Sequence, residues 1–143
     1  MLTEQQVDEV LRAEESEGIE RKSSHRDSDS LRDSFVALAN DLAGRARSWI
    51  IIGQDPKMNL VGLSVSDDEL QRVVSDIARN KCFPALAFSI EFHTRDNKRV
   101  AFGEIRASVA RPHFAGRCLV RIGSTNRQAT DAEIISLRQT NLS

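Results

Sequence analysis

The sequence predicts an α+β domain: one mixed, mostly antiparallel sheet with about four helices packed on it, spanning residues 1–143 as a single unit. Three observations carry this. Polar capping boxes precede apolar residues at helical spacing, the run Trp49-Ile50-Ile51-Ile52-Gly53 is too short and β-branched for a helix, and residues 86–92 alternate with period two. The order α-β-α-β-α-β-β-β-α lacks the regular βαβ alternation of a doubly wound fold.

The elements follow in turn. Thr3-x-x-Gln6 is a capping box ahead of Val7, Val10 and Leu11, which predicts a helix to about Glu14. Ile19 to Ser23 reads as extended, with Glu20 and Lys22 on one side and Ile19 and Arg21 on the other. The polar 23–30 segment suits a loop and an N-cap. Leu31, Phe35, Leu38 and Leu42 then form the stripe of a second helix, with Gly44 as its stop. Residues 49–53 read as a central strand buried on both faces, ended by the Asp55-Pro56 turn. Ser66-x-x-Glu69 caps a third helix bearing Leu70, Val73, Val74 and Ile77. Leu86, Phe88, Ile90 and Phe92 mark a half-buried strand that turns at residues 95–98 into a partner running from Val100 to Val109. Cys118 to Ile122 is the last strand, and Thr130-x-x-Glu133 caps the final helix.

The 143 residues suffice for a real core, and 40% hydrophobic with 29% charged residues is the balance of an ordinary globular chain. No apolar run approaches membrane-spanning length, and the polar, acidic start is unlike a secretory signal, so no membrane is expected and a cytoplasmic location is. Cys82 and Cys118 lack metal or CxxC spacing and read as two reduced, buried thiols. The net charge of −1 conceals an asymmetry. Residues 1–80 carry 10 basic and 16 acidic side chains (−6), while residues 81–143 carry 10 and 5 (+5). Such segregation creates a basic face or merely solvates acidic helices.

Two constellations could carry chemistry. Glu15, Glu20 and Asp55, with Lys22, offer hard carboxylate oxygens from a helix end and two strands. Mg²⁺ or Mn²⁺ held there would stabilise charge on a phosphodiester and activate water. Lys22, two residues from Glu20 on one strand face, would orient water or steady the phosphate. The alternative is an acidic helix end with a surface salt bridge. The second constellation is residues 121–130. Gly123 permits close approach of a ligand, Ser124, Thr125 and Asn126 offer short donors, and Arg121 and Arg127 supply cations before a capped helix N-terminus. A structural turn is the plain reading of the same stretch, which is not a P-loop. Arg111 belongs to a wider scatter of arginines that could follow a nucleic-acid backbone. The three histidines show no ligand spacing.

These stretches together resemble the Schlafen/AlbA-like DNA-binding domain family, from about residue 14 to 137. Residues 15–22 (ESEGIERK) are similar to its opening E-S-x-x-ϕ-E-x-K, where ϕ is apolar. Residues 37–40 (ALAN) resemble its AFAN, 51–55 (IIGQD) its IGVDD, and 121–130 (RIGSTNRQAT) its R-x-G-S-S/T-N-R-x-A-T ahead of Glu133-Ile134. Gly62 and Arg111-Pro112-His113 also fall where the family has similar residues. The resemblance implies nucleic-acid binding, of RNA or DNA. Some members are metal-dependent endoribonucleases acting on transfer and ribosomal RNA through three carboxylates, matched here by Glu15, Glu20 and Asp55. Many bacterial members instead carry the domain as a non-catalytic module beside an ATPase or winged helix. Two departures stand out. The family's AN-x-x-GG gives way to an Arg-rich insertion, and its VDD is Gln54-Asp55-Pro56 here, which leaves Asp55 without a neighbouring carboxylate.

Two readings follow: a divalent-metal-dependent endonuclease acting on structured RNA such as transfer RNA, and a non-catalytic DNA- or RNA-binding module of a transcriptional regulator or ATPase-linked protein. In both, Arg111, Arg121 and Arg127 hold phosphates, and self-association or a fused partner domain is open. A third reading, prompted by the Asn141-Leu142-Ser143 ending, is an interaction domain cut from a larger regulator.

Overall fold

A computed structural model describes residues 1–45, 47–106 and 108–139. Helix α1 (Glu4–Arg12) begins at the predicted box, in which Thr3 Oγ1 accepts from the Gln6 amide and the Gln6 side chain takes the Thr3 amide. Strand β1 (Ile19–Lys22) leads through α2 (Ser28–Ala39), N-capped by Asp27, to β2 (Arg47–Ile52). Helix α3 (Asp67–Asp76) runs into a π-helical turn over Ile77–Lys81. Strands β3 (Phe88–Arg95) and β4 (Lys98–Arg106) form a hairpin, and β5 (Leu119–Ile122) and β6 (Thr125–Gln128) form another ahead of α4 (Asp131–Gln139).

The main sheet runs β1-β2-β4-β3, with β1 parallel to β2 and the other pairs antiparallel. Strand β2 is central, as its apolar run requires. Ile50 and Ile52 face α2 and α3, joining Leu31, Phe35, Leu70 and Val74, while Trp49 and Ile51 face α1 with Val7, Leu11, Val100 and Phe102. The period-two alternation thus fills both layers from one strand. The β5–β6 hairpin and α4 close a smaller third cluster around Cys118, Val120 and Leu137. Both cysteines are buried and unbonded, and burial pushes the Cys82 thiol up to about 11.

Several boundaries differ from the sequence reading. Helix α2 stops at Asn40 rather than Gly44, because the Asn40 and Asp41 side chains bond to other backbone and end the helical ladder. The alternating strand starts at Phe88, and its partner ends at Arg106, well short of the exposed Val109. The 121–130 stretch is a hairpin: Gly123 takes φ +59° in a two-residue turn and residues 125–128 pair back onto β5. The Asp96-Asn97 turn of the β3–β4 hairpin, by contrast, sits where its residues predict, at φ of 52° and 62°. Residues 141–143 lie outside those described.

Gly103 on β4 marks the tightest approach in the sheet. A Cβ there would stand 2.8 Å from Ile50 Cγ2. Gly103→Ala is therefore expected to destabilise the domain by about 1–3 kcal/mol through overpacking, measured as a lowered urea midpoint.

Candidate functional site

The structure brings the two opening glutamates together around Arg121. Its side chain is only 1% exposed, with Nη1 3.2 Å from Glu20 Oε2 and Nη2 3.5 Å from Glu15 Oε2. The same guanidinium donates to the carbonyls of Ser16 (2.6 Å) and Ile19 (3.0 Å) and to Asn126 Oδ1 (3.1 Å). Asn126 Nδ2 donates in turn to Ser34 Oγ on α2. Arg121 thus fastens the β5–β6 hairpin to the outer edge of β1. Lys22 shares a strand face with Glu20, as period two requires, at 3.5 Å, and donates to Ser30 Oγ at 2.6 Å.

Asp55 is committed elsewhere. Its Oδ1 accepts from the Lys57 and Asn59 amides at 2.9 Å each, and its Oδ2 from the Asn59 side chain at 3.3 Å. These donors, the Asn59 amide foremost, hold its carboxyl below the usual aspartate range. The expected convergence of Glu15, Glu20 and Asp55 on one ion is not the arrangement found. Among the described residues no group of three or more His, Cys, Asp or Glu is placed to hold a metal. The Arg121 guanidinium lies against both glutamates, so in this arrangement it balances their charge where a Mg²⁺ or Mn²⁺ was expected to do so.

The predicted phosphate-binding residues divide into buried and displayed. Arg121 is internal, Asn126 spends its amide on Arg121 and Ser34, and Arg111 is buried with Nη1 on the Asp41 carbonyl at 3.0 Å. Ser124 and Thr125 are exposed at the hairpin tip. The Arg127 side chain is 41% exposed and forms a two-pronged pair with Glu133, 2.7 Å at each oxygen. Glu133 Oε1 also accepts from the Thr130 amide at 2.9 Å, completing the predicted box. The Arg127 guanidinium, foremost, pulls the Glu133 carboxyl down to about 2. The anion position at this helix N-terminus is occupied by the chain's own carboxylate.

Two organising residues escaped the sequence reading. Arg21 is buried, with Nε on Gln54 Oε1 at 2.7 Å and Nη2 on the carbonyls of Val10, Leu11 and Ala13. It caps the C-terminal end of α1, where a cation is favoured; an arginine on the α1 side of β1 was the available signal. Asn40 binds three distant backbone groups: Nδ2 donates to the carbonyls of His113 (2.8 Å) and Leu119 (2.9 Å), and Oδ1 accepts the His113 amide (2.7 Å). Such long-range partners have no local spacing to announce them.

His113 is fully buried. Its Nδ1 lies 2.7 Å from the Pro84 carbonyl, which can only accept, so Nδ1 carries the proton of the neutral ring. Nε2 has no hydrogen-bond partner among the described residues, and burial holds the histidine below its usual range. The folded chain therefore binds fewer protons here than the unfolded chain. The consequence is a loss of stability as pH falls below about 6.5, with a slope of at most about 1.4 kcal/mol per pH unit. Urea midpoints between pH 7.5 and 5 are expected to show this component, and His113→Leu to lack it.

The fold has solved counterparts. The crystal structure of the DIP2311 protein from Corynebacterium diphtheriae matches at TM-score 0.67 and 18% identity, over 94% of this chain and 28% of that one. This chain thus spans under a third of that protein. The solution structure of the N-terminal domain of a RecG-related protein from Nitrosomonas europaea, named for an ATP-dependent DNA helicase, matches at TM-score 0.61 and 22% identity, over 87% of this chain and 90% of that domain. No curated protein matches the chain. At these identities the two structures establish a shared fold. The sequence profile of the Schlafen, AlbA_2 family matches residues 15–130, and the chain belongs to that family.

Proposed function

We propose that this domain is a nucleic-acid-binding module in which the β5–β6 hairpin contacts the phosphate backbone and the opening glutamates serve structure rather than catalysis. The observation that carries this is the Arg121 anchor. It holds the hairpin on β1 with an arginine set against both opening glutamates, while Ser124, Thr125 and the Arg127 guanidinium face solvent. The cationic surplus of residues 81–143 supplies attraction that does not depend on base sequence. Arg127 is held by Glu133 in the free protein, and a phosphate, which can also present two oxygens to a guanidinium, competes for its fork. Family membership supports the same reading, and attachment to a further domain would supply the activity such a module targets.

The test measures binding to transfer RNA, single-stranded DNA and duplex DNA across a salt series. Arg127→Ala is expected to weaken binding about three- to tenfold at low salt and to reduce the log–log salt slope by about one. Glu133→Gln, which releases Arg127, is expected to strengthen it. Unchanged binding in both variants removes the hairpin from the interface. Cleavage of transfer RNA by the wild-type protein that requires Mg²⁺ or Mn²⁺ would overturn the non-catalytic assignment and restore Glu15, Glu20, Asp55 and Lys22 as an active site.

A further inference from the structure

A pocket of about 330 Å³ opens on the other side of the sheet, between the end of α1, the 54–60 turn and the tip of the β3–β4 hairpin. Its volume lies at the lower end of small-molecule sites. Leu11, Met58 and Leu60 supply an apolar wall, and Arg12 and Asp96 are the charged groups of its lining that have no partner among the described residues.

Arg12 is left without a partner by the engagement of its neighbours. The acids one turn before it on α1 are Asp8 and Glu9, the positions from which helical ion pairs form. Asp8 is drawn away to Arg95 Nε at 2.9 Å, and Glu9 accepts from Gln5 at 3.3 Å. Arg12 is exposed and makes no hydrogen bond or ion pair among the described residues. Arg95, by contrast, is consumed by Asp8 and Glu4.

Met58 provides a second, independent observation. It takes φ +69°, a left-handed conformation unusual outside glycine and asparagine, and is 40% exposed. The Asp55 carboxylate and Gln54 hold the turn in this shape: Gln54 Nε2 donates to the Leu11 carbonyl at 2.9 Å and the Met58 carbonyl at 3.1 Å. The turn thereby keeps a flexible, polarisable thioether in the lining of the pocket, partly exposed, rather than folded into the core, and backbone held away from its preferred region concentrates at binding sites.

From this juxtaposition of the Arg12 guanidinium, the Met58–Leu60 wall and the Asp96 carboxylate, we propose that the pocket binds one unstacked nucleotide of a single strand. The base lies against Met58 and Leu60, and its phosphate rests on Arg12. Asp96 accepts hydrogen bonds and donates none, so a base with an exocyclic amino group fits beside it better than uracil, whose one edge donor, N3–H, is flanked by two carbonyl oxygens that repel a carboxylate. The assignment rests on the nucleic-acid reading above and gives it a second contact, distinct from the hairpin.

The experiment follows four pocket signals by ¹⁵N NMR, the backbone amides of Arg12, Met58 and Leu60 and the Gln54 side-chain amide, with the backbone amides around Arg127 read in the same spectra. The ligands are adenosine monophosphate, uridine monophosphate, inorganic phosphate and a single-stranded oligoadenylate. Adenosine monophosphate and the oligonucleotide are expected to shift all four signals. Phosphate alone should bind at least about tenfold more weakly, because it leaves the apolar wall unused. Arg12→Ala should weaken the nucleotide about fivefold or more, and Asp96→Asn, which suits the left-handed turn, should abolish the preference for adenine over uracil. If the oligonucleotide shifts only signals around Arg127, the pocket assignment falls while the module reading stands. If none of the four ligands shifts any signal, the pocket assignment falls, and the module reading is decided by the salt series with transfer RNA and DNA. Equal binding of phosphate and nucleotide also overturns the pocket, since it reports a surface cation only.

Discussion

Replacing Arg121 by methionine is expected to destabilise the domain by about 3–5 kcal/mol, the range for breaking a buried ion pair from one side. The reason lies in what would be left behind. Glu20 is 8% exposed and would retain, among the described residues, only Lys22, at 3.5 Å. The Ser16 carbonyl would lose its Arg121 donor, the Ile19 carbonyl would keep only the Ser16 amide, and the Asn126 amide would lose its partner toward β1. Equilibrium urea unfolding followed by circular dichroism measures the loss. The double variant Arg121→Met, Glu20→Gln separates causes: removing the uncompensated carboxylate should recover part of the stability, whereas a purely steric effect would not be recovered. A cost below about 1 kcal/mol would mean that the hairpin is held by its apolar cluster and not by this network. Because Arg121 anchors the hairpin without reaching solvent, its variant should also weaken nucleic-acid binding while leaving the per-phosphate salt slope close to wild type.

Asn40→Ala is expected to cost about 3 kcal/mol or more, because one side chain satisfies three buried backbone groups and each orphaned group costs about 1–3 kcal/mol. Asn40→Asp tests the direction of the bonds. It keeps the acceptor for the His113 amide but turns a carboxylate oxygen toward the carbonyls of His113 and Leu119, so it should be no milder than alanine. Hydrogen exchange offers a local readout. The His113 amide should lose protection in Asn40→Ala well before the amides of β2. Uniform loss across both would show that Asn40 contributes only to global stability.

The two residues illustrate how differently sequence and structure speak. Capping boxes, the β2 run and the Asp96-Asn97 turn were legible because their physics is local: each depends on side chains within a few positions of the backbone they satisfy. The helix end at Asn40 and the hairpin at 121–128 were not. Asn40 spends its side chain on a partner over 70 residues away, and although the hairpin itself pairs locally, the Arg121 bond that docks it on β1 reaches back over 100 residues. The pairing of Glu20 with Lys22 followed from strand period, but the identity of the cation between Glu15 and Glu20 could not. A carboxylate pair in a sequence reads equally as a metal site or an ion-pair site, and its ion pairs with Arg121, about 100 residues along the chain, are visible only in the tertiary structure.

The sequence by itself determined the α+β class, the central strand, the helix starts and the family, since apolar period and cap chemistry are written in consecutive residues. The tertiary structure alone decided which charges are spent and which are displayed. Arg121, Asn126 and Arg111 proved internal, Arg127 was held at the surface by Glu133, and Arg12 was left open beside a pocket. That division depends on burial and on distant partners, because a guanidinium in water and one enclosed by two glutamates are the same letter in the sequence and opposite in chemical availability.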